Sequence, residues 1–206
     1  MSRRAGVVPH GSEAAQAHFL DAAEACFERY GVVKTTMEDI AKMAGVSRPT
    51  VYRHFNDRDS LILAVVMRRA WSLIGKAQAF IRRQERFEDQ LVEGLLFLVK
   101  TGRRDPFVRI LVSPEHLDMA QQILGATDAV IDLTQEMWAP ILAEAAARGE
   151  LNPGLEGRDI AVWLTHVQLI MVGRFDLSTD DDEIRRMLRT FLAPAFLAAP
   201  VAVGGR

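Results

Sequence analysis

The chain has 206 residues, 49% of them hydrophobic, and a formal net charge of −2. That is room for a small domain joined to a larger one with a sizeable core, and no global basic field advertises a polyanionic partner, although a local patch still can. The single cysteine, Cys26, excludes an intramolecular disulfide and suits a reducing compartment. No apolar run approaches the roughly 18 residues of a membrane span. Arg3 and Arg4 have no apolar stretch behind them to make a signal peptide, so a soluble cytoplasmic protein is expected.

Strand signals are nearly absent, and helical periodicity runs through the chain. The first helix is expected over Ser12–Tyr30, where Ala15, Phe19, Ala22, Ala23, Cys26, Phe27 and Tyr30 fall on one side and Gly31 stops it. Cys26 on that apolar face reads as a small buried hydrophobe. A short helix follows Thr36 and ends near Gly45. Another begins after Ser47 and ends near Phe55. A long one covers about Asp57–Arg83. Further helices are expected over Arg86–Gly102, Pro106–Leu111, Pro114–Gly125, Thr127–Gly149, Glu156–Leu177 and Asp180–Leu197, with Gly102, Pro114, Gly125, the 149–154 segment and Ser178 as breaks. The fold class is all-α. The organisation expected is a flexible arm (1–11), a three-helix unit (12–57), a bundle of longer helices (58–199) and a flexible tail (200–206).

The segment 36–55 carries the most information. Thr36 is a helix N-cap, with Asp39 at the third position to answer it. Ile40, Ala41 and Ala44 form an inward face, Gly45 allows a tight turn, and Val46 plugs that turn. Ser47 caps a new helix and Pro49 lies in its first turn, where a missing N–H is harmless. Val51 and Phe55 point back to the core. Arg48, Thr50, Tyr52, Arg53 and His54 are left to face outward. Two short helices joined by a glycine turn make a helix-turn-helix, whose second helix can enter the major groove. The outward residues suit that task. Arg48 can bond a guanine edge, Pro49 and the Thr50 methyl can touch a thymine methyl, and Thr50, Tyr52 and His54 can donate to phosphates.

With these residues in view, Thr-x-x-x-Ile-Ala-x-x-Ala-Gly-Val-Ser-x-x-Thr-Val-Tyr-x-His-Phe, followed by Asp59-Ser60-Leu61 and preceded by Phe27-x-x-Tyr-Gly, resembles the TetR family of bacterial regulators over about residues 13–63. The resemblance implies an all-α homodimer that binds a two-half-site operator in double-stranded DNA, with a ligand-regulated second domain; no cofactor is expected. Carried over by position, Arg48, Pro49 and Thr50 match the base-facing segment. Thr36, Tyr52 and His54 match phosphate-contacting positions, and Arg58 matches a basic phosphate contact at the start of the fourth helix. Ser47, Lys42 and Arg53 complete the expected DNA face. Glu38 stands where some relatives carry a basic or small residue. It can accept from a cytosine amino group, or sit clear of the phosphates and favour its helix N-terminus.

In the bundle, the aromatic and Met residues read as core by default, and a subset can line an apolar small-molecule site with a few polar groups. The candidates are Trp71, Phe97, Phe107, Gln135, Trp138, Trp163, His166 and Arg174; the alternative is a solid core with no effector. Pro140 is expected to kink its helix. The helices around Ile160–Phe175 and Met187–Phe196 are apolar on more than one stripe, which points to a dimer interface. The fourth helix is the expected lever between effector and DNA. Asp180-Asp181-Asp182-Glu183 reads as charge at a helix N-terminus, and no spacing of metal ligands is present. An enzyme would need a nucleophile elbow, a phosphate loop or paired His ligands, and the sequence has none of these. A helix-turn-helix protein acting only through protein partners remains as an alternative.

Overall fold

The computed structural model describes residues 12–105, 108, 128–174 and 180–199. The arm 1–11, the helices expected over 106–111 and 114–125, the end of the helix expected to reach Leu177 and the tail 200–206 lie outside the described residues. The described residues are helical and form two compact units, one holding residues 12–69 and the other the remainder from residue 70 onward.

The first unit contains α1 (Ser12–Tyr30), α2 (Met37–Met43), α3 (Arg48–Tyr52) and the start of α4 (Arg58–Ile81). Its core is the set that helical spacing singles out. Phe19, Ala23 and Cys26 from α1, Ile40 and Ala41 from α2, Val51 from α3, and Leu61, Ile62 and Val65 from α4 are all buried. Burying one large aliphatic or aromatic side chain is worth about 1.5–3 kcal/mol, so this small apolar cluster is what holds the short helices. Burial pushes the Cys26 thiol pKa up, with Asp39 adding to the shift and Arg29 opposing it, as suits an inert core thiol. Gly31 and Gly45 both have positive φ, 82° and 71°. They end α1 and α2 with backbone that a side chain resists.

The second unit contains the rest of α4, α5 (Phe87–Arg104), α6 (Asp128–Ala147), α7 (Gly157–Arg174), α8 (Asp181–Met187), a π-helical turn over Leu188–Leu192, and α9 (Ala193–Phe196). α5 packs on α7 and α8, and α6 packs on α7. Trp138, Phe87, Leu91, Leu95, Ile141, Leu164, Ile184 and Leu188 are the centre of its core. A row of ion pairs joins α5 to the last helices: Lys100 with Asp181, Glu93 with Arg185, and Asp89 with Arg189. These groups are partly exposed and each pair contributes modestly. Asp180 caps α8 by accepting from the Asp182 N–H, so the acidic run does serve a helix start. Among the described residues there is no cluster of possible metal ligands.

Two prolines each remove a backbone donor from a helix here. α6 continues through Pro140, which has no N–H for the Glu136 carbonyl one turn back. The Gln78 side-chain amide from α4 supplies donors instead, lying 3.4 Å from the Glu136 carbonyl and 3.0 Å from that of Met137. The last helix, expected as one α-helix to Leu197, instead widens into the π turn before Pro194. Pro194 cannot donate to the Thr190 carbonyl. The wider turn accommodates that gap while keeping Leu188, Leu192, Ala193 and Phe196 buried. Residues 196–198 are then tied to the 149–154 segment, with the Asn152 N–H donating to the Phe196 carbonyl at 2.8 Å and the Ala198 N–H to the Glu150 carbonyl at 2.8 Å.

Candidate nucleic-acid interface

The α2–turn–α3 segment is held by local bonds that its sequence encodes. The Thr36 hydroxyl accepts from the Asp39 N–H at 3.2 Å, and the Asp39 carboxylate accepts from the Thr36 N–H at 3.0 Å, which completes a reciprocal cap. Hydrogen bonds from the Thr36 side chain and then its backbone hold the Asp39 carboxyl below the usual aspartate range. Asp57 and Ser60 repeat the device just before α4. The Ser60 N–H donates to the Asp57 carboxylate at 2.7 Å, and the Asp57 N–H donates to the Ser60 hydroxyl at 3.2 Å.

Two long-range contacts finish the framework, and neither was legible as a role in the sequence. His18 Nε2 lies 3.0 Å from the Ala44 carbonyl, tying α1 to the end of α2. Arg58 donates from Nε to the Thr35 carbonyl at 2.8 Å and from Nη2 to the Val32 carbonyl. Arg58, expected as a phosphate contact, thus spends two donors on the loop between α1 and α2, and its side chain is only 26% exposed. Partners 26 or 23 residues distant leave no periodic trace for a sequence reader.

The other expected DNA-facing residues sit as follows. Lys42, Ser47, Arg48, Pro49, Tyr52 and Arg53 are exposed, and Thr36 is exposed beside its cap. Thr50 is half-buried. Ser47 occupies the N-cap position of α3 but makes no side-chain capping bond. Its hydroxyl pairs with that of Thr50 at 2.8 Å instead, while the Thr50 N–H donates to the Ser47 carbonyl at 2.9 Å. His54 is half-buried, with its ring 5.0 Å from that of Phe19, so core packing fixes its orientation. Arg48 donates from Nη2 to the Tyr52 hydroxyl at 3.1 Å, and its guanidinium carbon lies 5.2 Å from the Tyr52 ring centroid. The i, i+4 spacing that permits this pair is visible in the sequence, although the bond itself was not inferred. Glu38 is exposed and close enough to Arg48 to act on its charge.

The candidate effector residues do not gather into one described site. Trp138 is fully buried, and its indole N–H has no hydrogen-bond partner among the described residues. Phe97 is half-buried and stacks on Phe80 at 4.9 Å. Trp71 (49% exposed), Trp163 (56%), Gln135 and His166 lie on the surface of the protomer. Each of their helices buries one face, and these residues occupy the other. Phe107 and the Arg174 side chain lie outside the described residues. The buried polar pair that sequence reading did not assemble is Thr134 with Thr165. Their hydroxyls are 2.8 Å apart, and each also reaches a carbonyl one turn back.

Comparison with known proteins places this geometry. The family model for bacterial regulatory proteins of the tetR family matches residues 19–65. The chain is 43% identical over 51 residues to the HTH-type transcriptional regulator TtgR of Pseudomonas putida, covering 25% of this chain and 24% of TtgR. The chain thus spans about a quarter of the length of that relative. An uncharacterized HTH-type transcriptional regulator of Mycobacterium tuberculosis is 25% identical over 191 residues, which is 93% of this chain and 90% of the other. Among solved structures, the TetR family repressor AlkX from Dietzia sp., implicated in biodegradation of n-alkanes, matches with a TM-score of 0.66 and 26% identity, covering 89% of this chain and 96% of AlkX. FadR from Thermus thermophilus shares the fold, with a TM-score of 0.63 at 17% identity over 93% of this chain and 100% of FadR. Residues 19–65 thus match the DNA-binding unit of the tetR family of bacterial regulatory proteins, and the all-helical fold is similar to that of a TetR family repressor.

Proposed function

We propose that this chain is a cytoplasmic repressor that binds an operator in double-stranded DNA as a two-fold dimer and is released by an apolar small molecule. The observation that carries the reading is the exposed face of α3. Arg48, Pro49, Tyr52 and Arg53 stand in solvent on a helix whose supports, the Thr36–Asp39 cap and the His18 and Arg58 bonds to backbone, are all engaged. A basic, aromatic-bearing face on a rigid short helix is what reading a major groove requires. Arg48 serves as the base reader; Thr36, Lys42, Thr50, Tyr52, Arg53 and His54 serve as backbone contacts. Arg58 acts chiefly as a clamp on the loop before α2.

Dimer formation is supported by Trp163 and Ile170, seven residues apart on α7, and by Phe191, which is 79% exposed. Apolar side chains left in solvent on the last long helices need a partner surface, and a second copy offers a self-complementary one. Repression rests on the likeness to AlkX. An apolar effector is supported by the aromatic side chains in the interior of the second unit, with Trp138 fully buried and Phe97 half-buried. Such a ligand acts only if it prefers the arrangement that does not bind DNA, and linkage makes operator weaken ligand binding by the same factor.

The test is fluorescence anisotropy with labelled duplex from the region upstream of the protein's own gene, together with light scattering. Saturable binding with two chains per site is expected. Arg48→Ala should cost about 1–3 kcal/mol on that duplex. No discrimination between that duplex and scrambled DNA, or a monomer at micromolar concentration, would overturn the reading.

A further inference from the structure

We propose that Tyr52 is a specificity-positioning residue, whose ring and hydroxyl hold the Arg48 guanidinium in the pose from which it reads a base edge. Tyr52 then governs which base is accepted as well as how tightly DNA is held. The inference rests on the DNA-binding reading above and narrows it to one pair of side chains.

The geometry has two parts. The guanidinium lies over the tyrosine face, 5.2 Å from centroid to carbon, and one of its Nη2 protons reaches the hydroxyl oxygen at 3.1 Å. A cation held over an aromatic face and hydrogen-bonded at its rim has a defined plane as well as a defined position. The platform is itself fixed. Tyr52 sits on the last turn of α3, 37% exposed, and a tyrosine has only two side-chain torsions to settle.

The donor arithmetic leaves the pair free to act on DNA. A guanidinium has five N–H groups, and the tyrosine bond takes one of them. The remainder can present the forked pair that guanine O6 and N7 accept. The tyrosine oxygen accepts from Arg48, so its own proton is still available to a phosphate oxygen. A single hydroxyl thereby joins a backbone contact to a base contact, and docking of the backbone sets where the arginine points.

An unrestrained arginine on an exposed helix can swing to the nearest acceptor of any base or phosphate, which favours binding and blurs preference. An arginine already ordered loses less freedom on binding the right base and cannot re-aim to rescue a wrong one. A pure phosphate contact makes a different statement, since phosphates carry no sequence information. The two roles therefore separate in a ratio of affinities rather than in an affinity.

Selection from a random duplex library with the full-length wild type and with Arg48→Ala identifies the base step at which Arg48 imposes a preference. Two labelled duplexes that differ only at that step are then titrated at one fixed salt concentration, because salt alone shifts such affinities. The wild-type ratio is expected at roughly 5–150-fold, the range for one good base contact. Tyr52→Leu should lower both affinities and also shrink the ratio by about three-fold or more, within the coupling seen between contacting residues. Tyr52→Phe, which keeps the ring and loses the hydroxyl, should fall between. In the Arg48→Ala background, Tyr52→Leu should weaken both duplexes by one common factor. Circular dichroism and melting check that the variants stay folded, and Tyr52→Phe serves as the measurement if Tyr52→Leu does not.

An unchanged ratio in Tyr52→Leu and Tyr52→Phe, with both affinities reduced alike, overturns the proposal and leaves Tyr52 a phosphate contact. So does an Arg48→Ala protein with the wild-type base preference. A wild type that enriches no duplex is a different failure, of the DNA-binding reading itself.

Discussion

The helix-turn-helix unit and the long-helix unit are built by different rules. In the first, the bonds that shape the site join residues three or four apart: Thr36 with Asp39, Ser47 with Thr50, Arg48 with Tyr52, and Asp57 with Ser60. His18, Arg58 and the ion pairs of Arg68 and Arg69 with Asp21 and Glu24 are long-range exceptions. In the second, the shaping contacts span far more chain. Gln78 meets Met137, the Phe87 N–H meets the Glu150 carboxylate at 2.9 Å, and Arg189 meets Asp89. Local bonds fix a shape that tolerates little variation, whereas distant contacts can be met by many side-chain combinations.

The comparison can be broken most severely at Trp138. It is fully buried, and its ring is what Gly94 makes room for. Trp138→Ala should destabilise the protein by about 3–5 kcal/mol, the usual cost of emptying a large aromatic site. Urea denaturation followed by circular dichroism measures it. A loss under about 1 kcal/mol would mean that the long-helix core reorganises around the gap, contrary to close packing.

Gly94→Ala tests the same packing from the other side. A methyl group there would lie 2.8 Å from both the Ile81 Cδ1 and the Trp138 ring, and both side chains are fully buried. Overpacking of this kind costs about 1–3 kcal/mol. In a helix that otherwise gains from alanine, a lower melting temperature is a clear sign. A higher one would show that the ring can shift freely.

The Gln78–Pro140 arrangement sharpens the comparison further, since it joins residues that no local pattern links. Gln78→Ala should cost about 0.5–1.5 kcal/mol by removing its hydrogen bonds to the carbonyls of Glu136 and Met137. In a Pro140→Ala background, where residue 140 again has an N–H, the same substitution should cost measurably less. Equal costs in both backgrounds would detach Gln78 from the proline break.

What could be read from the sequence follows this division. The bounds of α1 and the Thr36–Asp39 cap were legible because Gly31, the apolar spacing and the cap residues act within one or two turns. The bounds of α6 were legible too, but its partners were not, because a glutamine says nothing about a carbonyl 59 residues away. The π turn was hidden by the strong apolar spacing around it, although Pro194 marked the place. On the proposed DNA face, the exposure of Arg48, Tyr52 and Arg53 was legible from the pattern, whereas Thr50 and His54, also expected to face outward, are half-buried. The double engagement of Arg58 was not, because an arginine at a helix start serves a phosphate and a loop carbonyl equally well. Among the effector candidates, aromatic content alone did not separate the buried Trp138 from the exposed Trp71 and Trp163.

The smallest expected effect concerns the cap that begins α2. Thr36→Ala removes the hydroxyl that accepts from Asp39 and should cost about 1 kcal/mol, typical of an N-cap. The pH dependence carries its own sign. The Asp39 carboxyl is held below its ordinary value by Thr36, so the folded state favours the ionised form. Its contribution is fully present above the unfolded-state value and is lost as pH falls through the lower folded-state value. Asp57 behaves in the same direction, held down first by the Ser60 N–H and then by the Ser60 hydroxyl. The acid-side slope of stability against pH, at and below the ordinary aspartate range near 3.9, should therefore be shallower in Thr36→Ala than in the wild type. Above that range the two curves should run parallel, offset by the cost of the lost cap. Melting curves taken across the acid limb separate the two contributions. If the wild type and Thr36→Ala showed identical acid slopes, the Asp39 carboxylate would be drawing its stabilisation from elsewhere than the cap. The helix-turn-helix unit would then owe less to its short-range bonds than its geometry indicates.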